Sequence, residues 1–314
     1  MGFATHETTF VNTPVEKLIG DLILGCTTLD QGVGQMLQGY RKEISLNRFY
    51  TTGDNITAPP VTGKYTVPND SFNKDERELF LDPIAWYNEY NAREFNVDHK
   101  FLWTRGKDGM IEPSAALQSA VQPSVIENFN NTLDRMLWQG DKAGATGGSL
   151  DLIDGWEKLF NADATIIPVA PVVITAANVM ATFELYIQAA AANNPAILEK
   201  SNPAFIVPIA VKYIYAEALR ALPNKGVDVD QAGYSRYGGY DIIGVNGMSA
   251  DTVLFGNVGG GDVANLKVGV WSSADRTSVE TGRTAPQDET FFVKVNTEIG
   301  VSYVWGKELV YSKA

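Results

Sequence analysis

Apolar positions between Ser114 and Asp141 (SAALQSAVQPSVIENFNNTLDRMLWQGD) recur with the period of a helix, and no other stretch of the chain holds that pattern so clearly. Val125, Ile126, Phe129, Leu133, Met136 and Leu137 fall on one side, while Asn128, Asn130, Asn131, Asp134 and Arg135 fall mostly on the other. Ser124 with Glu127 three residues on reads as a capping box, and Pro123 as the join to a shorter helix before it. Gly140 is the expected left-handed C-terminal residue. At about 1.5 Å per residue, the part after Pro123 would be roughly 24 Å long, a strut on the scale of a domain.

Earlier in the chain the patterns are weaker. Residues 1–13 are polar and Thr-rich without periodicity and read as an extended arm. Val15, Leu18, Ile19, Leu22 and Ile23 then step at helical spacing behind Thr13 and Pro14, until Gly32, Gly34 and Gly39 break the pattern. From Asn47 to Asn73, two strand-like runs, RFYTT and GKYTV, flank the turn-rich GDNITAPPVTG. Their apolar residues are too few to bury a core, so the hairpin they predict must lean on something else. FLDPIAWYNEYNAREF, residues 80–95, reads as a helix whose aromatic residues Trp86, Tyr87 and Tyr90 pack.

After the central helix comes a Gly-rich connector, GDKAGATGGSLDLIDGW, then a strand and two helices over residues 175–192 and 208–222. Beyond Pro223 the chain turns β-like: YDIIGV, DTVLFGNV, LKVGVW, ETFFVKVNTEIGVSYVW and ELVYS. The alternation from Phe291 to Trp305 predicts a long hairpin or a strand bent at Gly300. Helices first and strands last make an α+β protein.

Composition narrows the function classes. The 314 residues are 45% hydrophobic and 20% charged, which suits a large core and not a disordered chain. Lys and Arg number 25 against 37 Asp and Glu, a net charge of −12. Sequence-specific nucleic-acid binding draws its strength from neutralised phosphates and is not expected, although an acidic wall facing nucleic acid is allowed. Cys26 is the only cysteine and reads as a small buried hydrophobe in a reducing compartment. The N-terminus has no basic and apolar leader, and IIPVAPVVITAA is too short and proline-broken to span a membrane, so a soluble protein is expected.

The search for chemistry returns no candidate. HETTF at His6 lacks the second histidine of a zinc helix, and His99 is the only other histidine. Gly259, Gly261 and Ala264 spell a dinucleotide fingerprint but precede a strand where a helix N-terminus should hold the pyrophosphate. GDKAGATGGS has Lys142 in the wrong order for a phosphate loop. Asp228, Asp230 and Gly233 open like a calcium loop, yet Ala232 and Gly239 stand where oxygen ligands belong. No nucleophile elbow occurs. No catalytic residue, cofactor or metal is nominated.

An arm, a coreless hairpin, a long helix ending in WQGD, a Gly-rich connector and a β-rich C-terminus resemble, in that order, a tailed-phage major capsid protein of the HK97 fold. LDRMLWQGDKAGATGGSLDLIDG is similar to that family's passage from spine helix to axial domain, with Gly147 and Gly148 where a proline is usual. YDIIGVNGMSADTVLFG resembles its return strand, and residues 265–311 its C-terminal strands.

The resemblance implies an N-terminal arm over 1–46, an E-loop hairpin over 47–78, and a P domain over 79–165 and 263–314 with its spine helix at about 114–140. An A domain over 166–262 would lie near the axes of hexamers and pentamers. It further implies a virion protein assembled in the host bacterial cytoplasm, which encloses double-stranded DNA without reading it and works with portal, scaffolding and decoration proteins. No N-terminal scaffolding coiled coil is evident, so scaffolding would come from a separate protein. Inter-subunit contact candidates are Leu18, Leu22, Phe49, Tyr50, Ile56, Lys64 and Tyr65. Some relatives crosslink a lysine in this hairpin; Lys64 reads as an ordinary exposed lysine. The alternative role on the same fold is an encapsulin-like compartment shell, and the third class is an enzyme built from scattered carboxylates and tyrosines. Leu133, Met136 and Leu137 are expected to pack on the strands of residues 265–311.

Overall fold

The computed structural model describes residues 26–38, 43–51, 63, 72–91, 96–97, 100–101, 103–105, 111–113, 115–144, 147–199, 202–222, 235–258, 264–270, 278–284 and 290–313. The chain runs α1 (Thr27–Asp30), β1 (Gln35–Gln38), β2 (Glu43–Thr51), β3 (Phe72–Phe80), β4 (Asp82–Asn91), then the short β5 (Asn96–Val97), β6 (Lys100–Phe101), β7 (Trp103–Arg105) and β8 (Ile111–Pro113). The central helix α2 (Ala115–Gln139) leads to α3 (Trp156–Ala162), β9 (Ile167–Val169), α4 (Val179–Asn193), β10 (Pro203–Pro208) and α5 (Ile209–Ala221). Strands follow: β11 (Arg236–Tyr237), β12 (Tyr240–Val245), β13 (Leu254–Asn257), β14 (Leu266–Val270), β15 (Ser278–Arg283), β16 (Thr290–Tyr303) and β17 (Leu309–Ser312).

Two sheets carry the subunit. In one, the order is β1-β14-β16-β15, with β4 along the other edge of β16. In the other, the order is β11-β12-β10-β13-β17-β9. The second sheet is a shared wall. Ala204, Ile206, Leu254, Leu309 and Tyr311 face a core that contains α2, α3, β14 and β16, whereas Phe205, Val207, Phe255 and Val310 face a core built with α4 and α5. Successive side chains of a strand point to opposite faces, so strands buried on both sides read as continuous apolar runs such as AFIV and LVY.

Helix α2 buries Phe129, Leu133, Met136 and Leu137 as its periodicity requires, in one cluster with Leu266, Val268, Val295, Ile299 and Val301. The expected packing of the helix on late strands is therefore present. Three expectations about this helix are corrected. It runs unbroken from Ala115 through Pro123, so no separate helix precedes Ser124. Gly140 is not left-handed; a Cβ there would lie 2.5 Å from the Ile153 carbonyl and 2.6 Å from that of Met136, because the connector folds back against the helix end.

Asp134, assigned to the polar side, is 1% exposed. Its carboxylate accepts from the Thr27 hydroxyl at 2.5 Å, the Thr28 N–H at 3.1 Å and the Thr28 hydroxyl, and the Trp138 indole donates to that same hydroxyl at 2.8 Å. Helix α1 thereby satisfies the buried charge, and a buried carboxylate needs such donors. Cys26, beside it, is buried as expected, and burial pushes its thiol up to about 12.

Residues 80–95 contradict the helical reading over their first part, since β4 pairs antiparallel with β16 from Asp82↔Ile299 to Asn91↔Thr290. Ile84, Trp86 and Tyr90 turn inward while Ala85, Tyr87 and Glu89 are exposed, a period of two that the helical pattern masked. Tyr87 stacks on Phe292 and Tyr90 on Phe291, with ring centroids 5.8 and 6.0 Å apart, so these aromatics do pack. The last strand-like run also resolves: β16 is one 14-residue strand with no hairpin inside it.

Candidate assembly surface

The hairpin is longer than its turn-rich centre implied. β2 and β3 pair from Glu43↔Phe80 to Thr51↔Phe72, so the return strand is FNKDERELF. Asp, Glu and Lys disfavour strands, and only the pairing with β2 explains this one. GKYTV, the expected return strand, lies outside the described residues apart from Gly63.

Among the described residues of the hairpin, the buried apolar side chains sit at its root. Ile44, Leu46, Leu79 and Leu81 form a small buried cluster with Leu37 packed against it. They rest on a flat place in the first sheet, where Gly269 of β14 and Gly300 of β16 are cross-strand partners. A Cβ on Gly269 would meet Leu79 at 2.5 Å and Leu81 at 2.7 Å, and one on Gly300 would collide with the Phe80 carbonyl. Gly300 is therefore required by close approach of the hairpin, where a bend in its own strand had been expected.

Two arginines, one on each strand, clamp the root. Arg48 pairs with Glu308 at 3.1 Å and lies over the Trp305 ring at 3.3 Å, with Tyr50 packed on the same ring at 6.1 Å. Asn265 fixes that tryptophan: its carbonyl accepts from the Val304 and Trp305 N–H groups at 2.9 and 2.7 Å, and its amide donates to the Trp305 carbonyl at 2.7 Å. On the other strand, Arg77 pairs with Asp163 and stands 4.2 Å from the Tyr303 ring centroid, and the Tyr303 hydroxyl donates to Asp163 at 2.6 Å. Each clamp thus unites an arginine, a carboxylate and an aromatic face, and guanidinium is the cation suited to both partners. Between the root and the Arg48 clamp, a cleft of about 410 Å³ bordered by Gln35, Asn47, Asn257 and Asn265 lies between β2 and the body.

Burial pushes the Asp163 carboxyl up, but the Tyr303 hydroxyl, the Thr165 N–H and Arg77 outweigh it and hold the group down at about 2. Burial, then the bond to Asp163, raises the Tyr303 phenol. A carboxyl depressed below its ordinary 3.8 adds stability above that value and loses it as pH falls toward about 2. Asp163→Asn is expected to lower the thermal midpoint at neutral pH, and that deficit should shrink to nothing as both proteins are taken from pH 4 toward pH 2. A deficit independent of pH in parallel melting series would show that the carboxylate charge is not what matters.

Of the contact candidates, Phe49 is 71% exposed on the outer face of the hairpin, with Phe80 on the same face 53% exposed. Tyr50 faces the other way, onto its own chain's Trp305. Leu18, Leu22, Ile56, Lys64 and Tyr65 lie outside the described residues. The two arginine clamps and the glycine pair were missed in the sequence; the cue available was opposite charge at hairpin partners, Arg48 facing Asp75. Among the described residues, no three His, Cys, Asp or Glu side chains are placed to hold a metal, and no helix is long and apolar enough to cross a membrane.

No family model matches the chain, and no curated protein does. Solved structures do. The chain is similar to a subunit of the satellite phage P4 procapsid including the size determination (Sid) protein, at 14% identity, covering 99% of this chain and 94% of that one with a TM-score of 0.64. It is similar to the capsid of the native GTA particle computed with C5 symmetry, at 12% identity, 91% and 89% coverage and a TM-score of 0.58. A virus-like particle from Pyrococcus furiosus matches at 10% identity, 94% and 96% coverage and a TM-score of 0.52. Sequence identity is low and coverage is nearly complete, so what is shared is the fold: an α+β subunit of the HK97 capsid type.

Proposed function

We propose that this chain is a capsid shell protein, the major capsid protein of a tailed double-stranded DNA phage, which assembles with copies of itself into hexamers, pentamers and a closed icosahedral container. The observation that carries the reading is a hairpin that rests on its own chain through its apolar root and one face, where Arg48 and Tyr50 lie on Trp305, and leaves the other face bare, with Phe49 71% and Phe80 53% exposed. An exposed hairpin face that carries large aromatics needs a covering surface. Full-length similarity to subunits of assembled particles supports a neighbouring copy as that surface. Arm, E-loop, P domain and A domain follow the division given above, and the net charge of −12 suits an inner wall that does not trap DNA. Portal, scaffolding and decoration proteins would be its partners in the virion.

Electron microscopy of the expressed chain should show icosahedral particles or capsomers; a monodisperse monomer under all conditions overturns the reading. Deleting residues 51–66 should leave a soluble subunit that makes no stable shell. Ordinary, stable particles from that deletion would remove the hairpin from the interface.

Similarity to the Pyrococcus furiosus virus-like particle favours a second reading, an encapsulin-like compartment. Particles purified from the native source distinguish the two: a packaged genome with portal and tail proteins supports the phage role, and a co-purifying cargo enzyme without genome supports the compartment.

A further inference from the structure

Beneath the hairpin the charge balance of the chain is inverted. Overall, 25 Lys and Arg stand against 37 Asp and Glu. Among the described residues that line the cleft between β2 and the body, two are cations, Lys267 and Arg48, and one is a carboxylate, Glu308. The three come from different parts of the fold: β14, β2 and the turn before β17.

Lys267 is the less expected of the two cations. It interrupts LKVGV, an otherwise apolar strand buried along its whole length, and is itself 6% exposed. Gly269, two residues on, faces Leu79 and Leu81 of the hairpin, and side chains two apart share a face of a strand. Lys267 therefore stands on the floor of the cleft, under the hairpin. Its ammonium donates to the side-chain carbonyl of Gln35, its register partner on β1. Taking an ammonium this far from water costs free energy that a neighbouring anion offsets better than a neutral carbonyl does.

Arg48 belongs to the facing wall. Its pair with Glu308 at 3.1 Å and its place over the Trp305 ring fix the guanidinium, which has five N–H donors. Neutral donors complete the lining, the carboxamides of Gln35, Asn47 and Asn257, the last 3% exposed. An ammonium on one wall, a fixed guanidinium on the other and carboxamides beside them are the donor set of an oxyanion site, with lysine as a point charge and arginine as a planar fork.

We propose that this cleft binds a small tetrahedral oxyanion of the phosphate class, with Lys267 and Arg48 as its charged donors. The site goes beyond the shell reading and does not depend on it. A volume of about 410 Å³ leaves room for the ion's hydration water as well. Bound there, the anion joins the sheet to the hairpin, since Lys267 lies on β14 and Arg48 on β2.

The test uses the full chain and inorganic phosphate, with sodium chloride holding the ionic strength constant. Two charge-assisted hydrogen bonds correspond to a dissociation constant of about 1 mM. Equilibrium dialysis should find one phosphate per chain, saturating near that concentration. Hydrogen exchange over 43–51 should slow by about tenfold at ten times that concentration. Lys267→Met, which keeps an unbranched side chain and removes the charge, should weaken binding by about tenfold or more and remove the slowing. Arg48→Gln carries the same expectation if Lys267→Met does not fold. Three results would each overturn the inference: no saturable binding, a stabilisation that only rises linearly with phosphate as a general salt effect does, or undiminished binding in the folded variants. Particle formation enters none of these measurements, so the shell reading stands or falls on its own test.

Discussion

Gly300→Ala is expected to lift the hairpin root off its sheet and abolish shell formation. The added Cβ collides with the Phe80 carbonyl, a backbone atom that cannot rotate away. Displacing it separates Leu79 and Leu81 from Gly269 and pulls on both arginine clamps, since Arg77 is three residues before Phe80 on the same strand. Overpacking typically costs about 1–3 kcal/mol, and a backbone collision belongs at or above the top of that range. Gly282→Ala is the control: its Cβ would meet only the Phe292 ring edge, at 3.1 and 3.2 Å, and a ring can give way by that much. Hydrogen exchange should quicken over 43–51 and 72–80 in the first variant and not in the second. Equal, slow exchange in both would show that the close approach is not needed to seat the hairpin.

Trp138→Ala should produce the largest loss of stability from a single side chain, about 3–5 kcal/mol. Trp138 is fully buried, its ring centroid lies 4.9 Å from that of Trp156, and its indole donates to Thr28. Removing it opens a cavity under Gly247, whose Cα hydrogen side lies against the indole and the Asp134 carbonyl. It also removes the donor to the Thr28 hydroxyl, so that a buried oxygen of the network holding α1 on Asp134 loses its hydrogen bond. Total stability is of the order of 5–15 kcal/mol, so this change consumes a large fraction of it. The measurement is the denaturant midpoint, with Trp138→Phe as partner: phenylalanine keeps the packing and loses the donor, and should fall clearly between. A midpoint unchanged in Trp138→Ala would mean that the two tryptophans are not at the centre of the fold.

The sequence was most informative where a structural element depends only on its neighbours along the chain. Helices α2, α4 and α5 announce themselves by period, because one face of each meets a core and the other does not. Strands β12, β13, β14, β16 and β17 do so by alternation or by the continuous apolar runs of strands buried on both faces, whereas β15, SVETGR, gives no such signal. The hairpin was recognisable by what it lacks, an apolar face, and its root was not. FNKDERELF has almost no strand propensity, and ten residues of β4 mimic a helix.

By itself, then, the sequence determined an α+β subunit with a coreless hairpin, a long central helix after it and late strands, since each of these follows from spacing within a short window. Only the tertiary structure decided that β4 is a strand, that Gly140, Gly269 and Gly300 are glycines to admit a neighbouring backbone or side chain, that Asp134 is buried, and that Arg48 and Arg77 anchor the hairpin. Those features arise from contacts between segments distant in the chain: β4 finds its partner roughly 200 positions away and Arg48 finds Glu308 farther still. Local periodicity cannot register a partner that lies outside its window, and pairing energy of that kind overrides weak local propensity.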